Sequence, residues 1–148
     1  MVFRGKNCFF PRSLIVFSAV FKLIGWEQTG SNLLIAMLEN KPTAKPTKVR
    51  LVRISAGVKQ TDLALIETAY YNNIQLSPDR RRIAYATRED GKDNIRVVSI
   101  VGGRIAKITA NVDPNVYVSG IAWSPDGNKV YYGKQKQVRL ISMIENFK

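Results

Sequence analysis

An all-β fold, an incomplete β-propeller of roughly two and a half to three four-stranded antiparallel blades, is what this 148-residue sequence predicts, and three observations predict it. First, a motif recurs: Ile74 to Tyr85 (IQLSPDRRRIAY) returns as Ile121 to Tyr132 (IAWSPDGNKVYY), with Ser77 and Ser124 standing 47 positions apart. That spacing falls within the length of a propeller blade, about 40–50 residues. Second, each copy sets a Ser-Pro-Asp turn between two apolar segments. Third, Gly102-Gly103 marks a two-residue hairpin turn, a place where positive φ is needed.

Taken in order, the chain opens with Arg4, Lys6 and Arg12 ahead of the apolar run Leu14 to Phe21 (LIVFSAVF). Charge before an apolar run is the layout of an export signal, but Lys22 ends the run after eight residues and no small-residue cleavage site follows. A spanning helix needs about 20 apolar residues. A buried strand, with β-branched and aromatic residues at alternate places, is the preferred reading, and the signal or anchor reading stays open.

An earlier unit allows two registers. One sets Gly25-Trp26 against Gln75-Leu76 and Ala122-Trp123, which makes Glu27 to Asn32 a turn and Leu33 to Met37 a second strand. The other makes Arg12 to Ser18 the second strand, Asn32 to Met37 the third and Val52 to Ser55 the fourth. The second register is preferred, because it accounts for three strands in order. It gives a degenerate first blade over 12–62 with a Pro/Lys-rich loop at 39–48, whose prolines exclude a central strand.

The next unit, 74–110, reads as a full blade. Its first hairpin turns at Ser77, Pro78 and Asp79; proline presets φ at the first corner and aspartate bonds its own backbone two residues on. Arg80 stands where the later copy has Gly127, so a positive φ at that position would strain it. A polar tip, Thr87 to Asn94, leads to a third strand, Ile95 to Ile100, and beyond Gly102-Gly103 a fourth, Arg104 to Thr109. The last unit, 121–148, turns at Ser124, Pro125, Asp126 and Gly127, has a third strand at Val138 to Met143, and lacks a fourth. The whole, 1–148, is a single partial propeller.

At this point the residues resemble a known family. SPDRRRIAYATREDGKDNIRVVSIVGGRIAKIT and IAWSPDGNKVYYGKQKQVRLISM are similar to the WD40-like (PD40) repeat of the TolB family, over 74–148 well and over 12–73 weakly. The resemblance implies a protein-interaction or scaffold module, the C-terminal part of a larger propeller. It equally admits the propeller part of a sensor kinase, a transcriptional regulator or a prolyl-oligopeptidase-like peptidase.

The composition excludes several chemistries. The sequence has no histidine and one cysteine, Cys8, so it contains no Ser-His-Asp or Cys-His arrangement and no cysteine-rich zinc site. Neither a nucleophile elbow nor a Walker loop occurs. Asp79 and Asp126 sit at equivalent turn positions, which points to turn stabilisation. Glu89, Asp90 and Asp93 surround a glycine, but without the full ligand pattern of a calcium loop they read as a solvated tip. The aromatic residues Trp26, Tyr70, Tyr71, Tyr85, Trp123, Tyr131 and Tyr132 read as packing between blades rather than as a stacking platform for bases.

The net charge of +12 is concentrated in residues 1–60, and Arg80, Arg81 and Arg82 form the densest basic run. These three are the contact candidates, although consecutive strand residues point to alternate faces and cannot all address one ligand. The expectation is no enzyme, no cofactor and no metal. The expected partner is another protein or further propeller blades, with a homo-oligomer among the forms this takes. Nucleic acid is the disfavoured partner, and membrane contact and compartment, exported or cytoplasmic, are left open.

Overall fold

Apolar residues at alternate positions place these segments in strands with one or both faces covered. The computed structural model describes residues 21–39, 47–70 and 73–136. The expected strand at Leu14 to Phe21 (save its last residue), Cys8, the segment 40–46, Tyr71 and the expected strand Val138 to Met143 lie outside the described residues.

Regular structure among the described residues is all β, in three antiparallel sheets of four, four and two strands. The first sheet runs β1 (Phe21–Trp26), β2 (Asn32–Leu38), β3 (Thr47–Ser55), β4 (Gln60–Thr68). The second runs β5 (Ile74–Leu76), β6 (Arg82–Glu89), β7 (Lys92–Ser99), β8 (Ile105–Lys107). The third holds β9 (Val116–Trp123) and β10 (Val130–Lys136). Each strand pairs with its neighbour in sequence, so every sheet is a meander. This is the incomplete propeller that the repeats predict.

The two-residue period of β6 shows how the sheets stack. Ile83 and Tyr85 join Leu34, Ala36, Val49, Leu51 and Ile66 in a core between the first and second sheets. Ala84 and Ala86 face the opposite way and, with Ile95 and Val97, meet Val118 and Ile121 of the third. The second sheet is therefore covered on both sides. Each Val, Leu or Ile side chain so buried contributes about 1.5–3 kcal/mol, and each Ala methyl less than about 1 kcal/mol.

Two strand assignments change. In the first sheet Asn32–Leu38 is the second strand, not the third, and Thr47–Ser55, which includes Lys48, is the third. The register that aligned Gly25-Trp26 with Ala122-Trp123 is the one observed. In the second sheet the expected polar tip Thr87 to Asn94 is mostly strand: Thr87 pairs with Asn94, Arg88 with Asp93 and Glu89 with Lys92. Only Asp90 and Gly91 turn, both at positive φ (49° and 76°), as a two-residue hairpin of this kind requires.

Candidate interaction surfaces

The three turns that follow β1, β5 and β9 have one geometry despite different residues. Arg80 donates its N–H to the Ser77 carbonyl at 2.8 Å, and Gly127 does so to Ser124 at 2.9 Å. Gly30 donates to Glu27 in the same way at 2.9 Å. The residue that closes each turn is left-handed: φ is 70° at Gly30, 57° at Arg80 and 70° at Gly127. Glycine takes this conformation without steric cost and arginine does not. Arg80→Gly is thus expected to stabilise the chain by about 0.5–1 kcal/mol, read as a higher urea midpoint at unchanged slope.

Inside the turns, Ser77 Oγ accepts the Arg82 N–H at 2.9 Å and donates to Asp79 Oδ1 at 2.5 Å. Asp79 Oδ1 also accepts the Arg81 N–H at 3.1 Å. Ser124 and Asp126 repeat the arrangement with Lys129 and Asn128. The hydroxyl of Ser77, the Arg81 N–H and Arg82 hold the Asp79 carboxyl below its usual range. The Ser124 hydroxyl and the Asn128 N–H do the same for Asp126.

A carboxylate with a depressed folded pKa stabilises the fold above its unfolded pKa, near 4, and that contribution disappears as pH falls through the lower folded value. The urea midpoint should accordingly fall in acid below about pH 4. The fall should be smaller in an Asp79→Ala/Asp126→Ala variant. Parallel pH profiles for the two proteins would refute the assignment.

In the first turn Glu27 replaces the serine. Its carboxylate accepts from Asn32 Nδ2 at 2.6 Å and Arg53 Nε at 2.6 Å, and Thr29 takes the place of the aspartate. Arg53 extends on to the Ile100 carbonyl, just past β7 of the second sheet, at 3.5 Å.

The contact candidates divide their work. Arg80 is exposed at the turn. Arg81 Nε donates to Gln28 Oε1 of the first turn at 2.7 Å. Arg82 Nη2 donates to the Gly127 carbonyl of the third turn at 2.8 Å, and pairs with Asp79 at 3.2 Å. Two of the three guanidinium groups therefore link successive turns within the chain.

The second junction lies at the opposite end of the strands, and it corrects the reading of Asp93 as part of a solvated tip. Asp93 is fully buried (0% exposed). Its carboxylate accepts from Arg88 Nη1 at 3.0 Å and from the Val118 N–H of β9 at 2.9 Å. Arg88 also lies over the Tyr117 ring, 4.5 Å from its centroid. Beside it, Asn94 Oδ1 accepts from Asn111 N–H at 2.8 Å and Thr109 Oγ1 at 3.2 Å. These bonds tie the connection between the second and third sheets to the hairpin of the second. Among the described residues no group of three or more His, Cys, Asp or Glu side chains is placed to hold a metal ion.

The aromatic residues fall into two sets. Tyr85 lies in the core between the first two sheets, while Tyr70, Trp123 and Tyr132 pack against the core between the second and third. Trp123 is also held from the side: Arg82 stands 5.1 Å from its ring centroid and its Nε1–H donates to the Gln75 carbonyl at 3.1 Å. Trp26 (52% exposed) and Tyr131 (57%) are open, as is Leu23. Tyr131 follows Ser124 by the interval at which Ala84, a fully buried residue, follows Ser77. Among the described residues, Leu23 and Trp26 of the first sheet and Tyr131 of the third thus present open apolar surface.

These features define a partial β-propeller of three stacked sheets. No protein-family model matches the chain, and no curated protein matches its sequence. Among solved structures it is similar to TolB from Acinetobacter baumannii, with a TM-score of 0.50 and 10% sequence identity. The match covers 76% of this chain and 26% of that one, so the chain spans about a quarter of its structural neighbour. At that identity the likeness shows the fold. No helix among the described residues is long and apolar enough to cross a membrane.

Proposed function

We propose that the chain is a non-catalytic protein-interaction or scaffold module built from TolB-like, PD40-type blades, and that it works by stacking against sheets it does not itself contain. The observation that carries this reading is the pair of open ends. Trp26 and Leu23 lie exposed on the first sheet and Tyr131 on the third, although the equivalent surfaces of the second sheet are covered. Exposed apolar patches of this kind serve as interfaces in soluble proteins. The absence of histidine from the sequence and the use of Asp79, Asp93 and Asp126 in turns and junctions support the non-catalytic part.

A second reading, the propeller portion of a larger regulator, kinase or peptidase, is favoured by the coverage of only 26% of the TolB chain. Both readings require occupied ends.

The test uses the purified full chain. Its ends are expected either to be covered by association or, in a monomer, to bind the apolar dye ANS, with dye binding lost when Trp26 and Tyr131 are replaced by serine. A monomer that binds no dye would overturn the proposal. So would saturable turnover of a peptide, ester or glycan that one acidic-residue substitution abolishes.

A further inference from the structure

The third sheet shows what a tryptophan at the end of an inner strand requires. Trp123 immediately precedes the turn residue Ser124, and the neighbouring sheet supplies it with the Arg82 guanidinium against its ring and the Gln75 carbonyl for its Nε1–H. Trp26 immediately precedes the turn residue Glu27 in the first sheet and is 52% exposed. No cation or carbonyl from a preceding sheet meets it among the described residues. Leu23, on the same strand, is 57% exposed. On the same face Ile35 and Val52 of the middle strands are buried, while Leu65 of β4 is 60% exposed, so the open parts of this surface are its two flanks, the inner strand and turn among them.

The complementary groups lie at the other end of the stack. Lys129 follows Ser124 as Arg82 follows Ser77, and Ala122 precedes Ser124 as Gln75 precedes Ser77. Ala122 pairs with Tyr131 across β9 and β10 as Gln75 pairs with Ala84 across β5 and β6. Lys129, Ala122 and Tyr131 are all exposed. One end therefore offers an unmet indole, and the other offers the cation and carbonyl that meet an indole elsewhere in the same molecule.

We propose that the partner at these ends is a second copy of this chain, joined head to tail. Lys129 of each copy lies over Trp26 of the other, the Ala122 carbonyl accepts the indole N–H, and Tyr131 covers Leu23. This repeats, at the inner strand and turn, the contact by which Arg82 and Gln75 of one sheet meet Trp123 of the next. A head-to-tail contact closes into a ring when its rotation permits. Two copies of the three sheets found among the described residues supply six, inside the range of about 4–8 blades in which propellers close; three copies would supply nine, outside it. The inference rests on the interaction-module reading and names its partner.

Light scattering on the full chain over a range of concentrations tests it. The expected mass is twice 16.7 kDa. Trp26→Ala should raise the dimer dissociation constant at least tenfold, the effect of losing about 1.4 kcal/mol at an aromatic anchor. Lys129→Glu should weaken the dimer similarly. Lys129→Arg should tighten it, because arginine stacks on indole better than lysine. In a Trp123→Phe background the Trp26 emission should shift to shorter wavelength as the dimer forms.

Both sites are exposed, and unchanged urea midpoints under monomeric conditions would show that the variants fold. A monomer that binds ANS overturns the second-copy proposal and leaves the interaction module standing; a monomer that binds none overturns both. A mass that grows without limit, or a dimer indifferent to Trp26→Ala and Lys129→Glu, overturns the ring.

Discussion

Replacing Asp93 with alanine is expected to cost about 3 kcal/mol, the lower end of the penalty for breaking a buried ion pair by removing one partner, because the Arg88 side chain is 27% exposed. The carboxylate is fully buried and joins Arg88 to the Val118 N–H. Without it, the Val118 donor is left in a buried position with no acceptor and Arg88 loses its counter-charge. Because Val118 begins the third sheet's contact with the second, the loss should also be local. Hydrogen exchange should accelerate most in β9 and β10, with β2 and β3 less affected at low denaturant. Asp93→Asn, which keeps an acceptor for the Val118 N–H, should cost less. Equal destabilisation by both substitutions would show that charge, rather than the hydrogen bond to β9, sets the effect.

Tyr85→Ala is expected to cost about 3–5 kcal/mol as well, by a different mechanism. The ring is among the largest fully buried side chains and sits between Leu34, Ala36 and Ile66 on one side and its own sheet on the other. Truncation leaves a cavity between two sheets that are held by their backbones and cannot close together over one residue. Tyr85→Phe separates the contributions, since it keeps the ring and removes only the hydroxyl near Arg96; its cost should be about 1 kcal/mol. Urea unfolding of the two variants measures both, and a Tyr85→Phe cost as large as that of Tyr85→Ala would refute the packing argument.

The fold class was legible because two turns carry their mechanism in short range. Ser77 with Asp79 and Ser124 with Asp126 each complete a turn within a few residues, so their sequences coincide. The first turn has the same backbone shape but is built on Glu27, whose partners are Asn32 and Arg53. Arg53 is 26 positions away, beyond any local pattern, so the Glu27 turn is only one of two registers the sequence allows, and the preferred one sets Asn32–Met37 one strand too late. Asp93 escaped for a related reason: an acid-rich stretch around a glycine resembles a solvated loop, and only the approach of Val118 from the next sheet makes it a core residue. Arg80, Arg81 and Arg82 read as a basic run, and strand alternation predicts that neighbours in it point apart. The targets of Arg81 and Arg82, Gln28 and Gly127, required the stacking order.

The placement of the second sheet between the other two has a consequence for how the chain comes apart. Stability in a linear stack is shared between each unit and its nearest neighbours, and this sheet has a neighbour on either side. Opening should therefore begin at the outer sheets, and the amides of β6 and β7 should exchange last, at close to the rate of global unfolding. A substitution in the middle sheet weakens two junctions at once, whereas one at either end weakens a single junction. The segment from Ile74 to Lys107 thus acts as the keystone of the folding reaction.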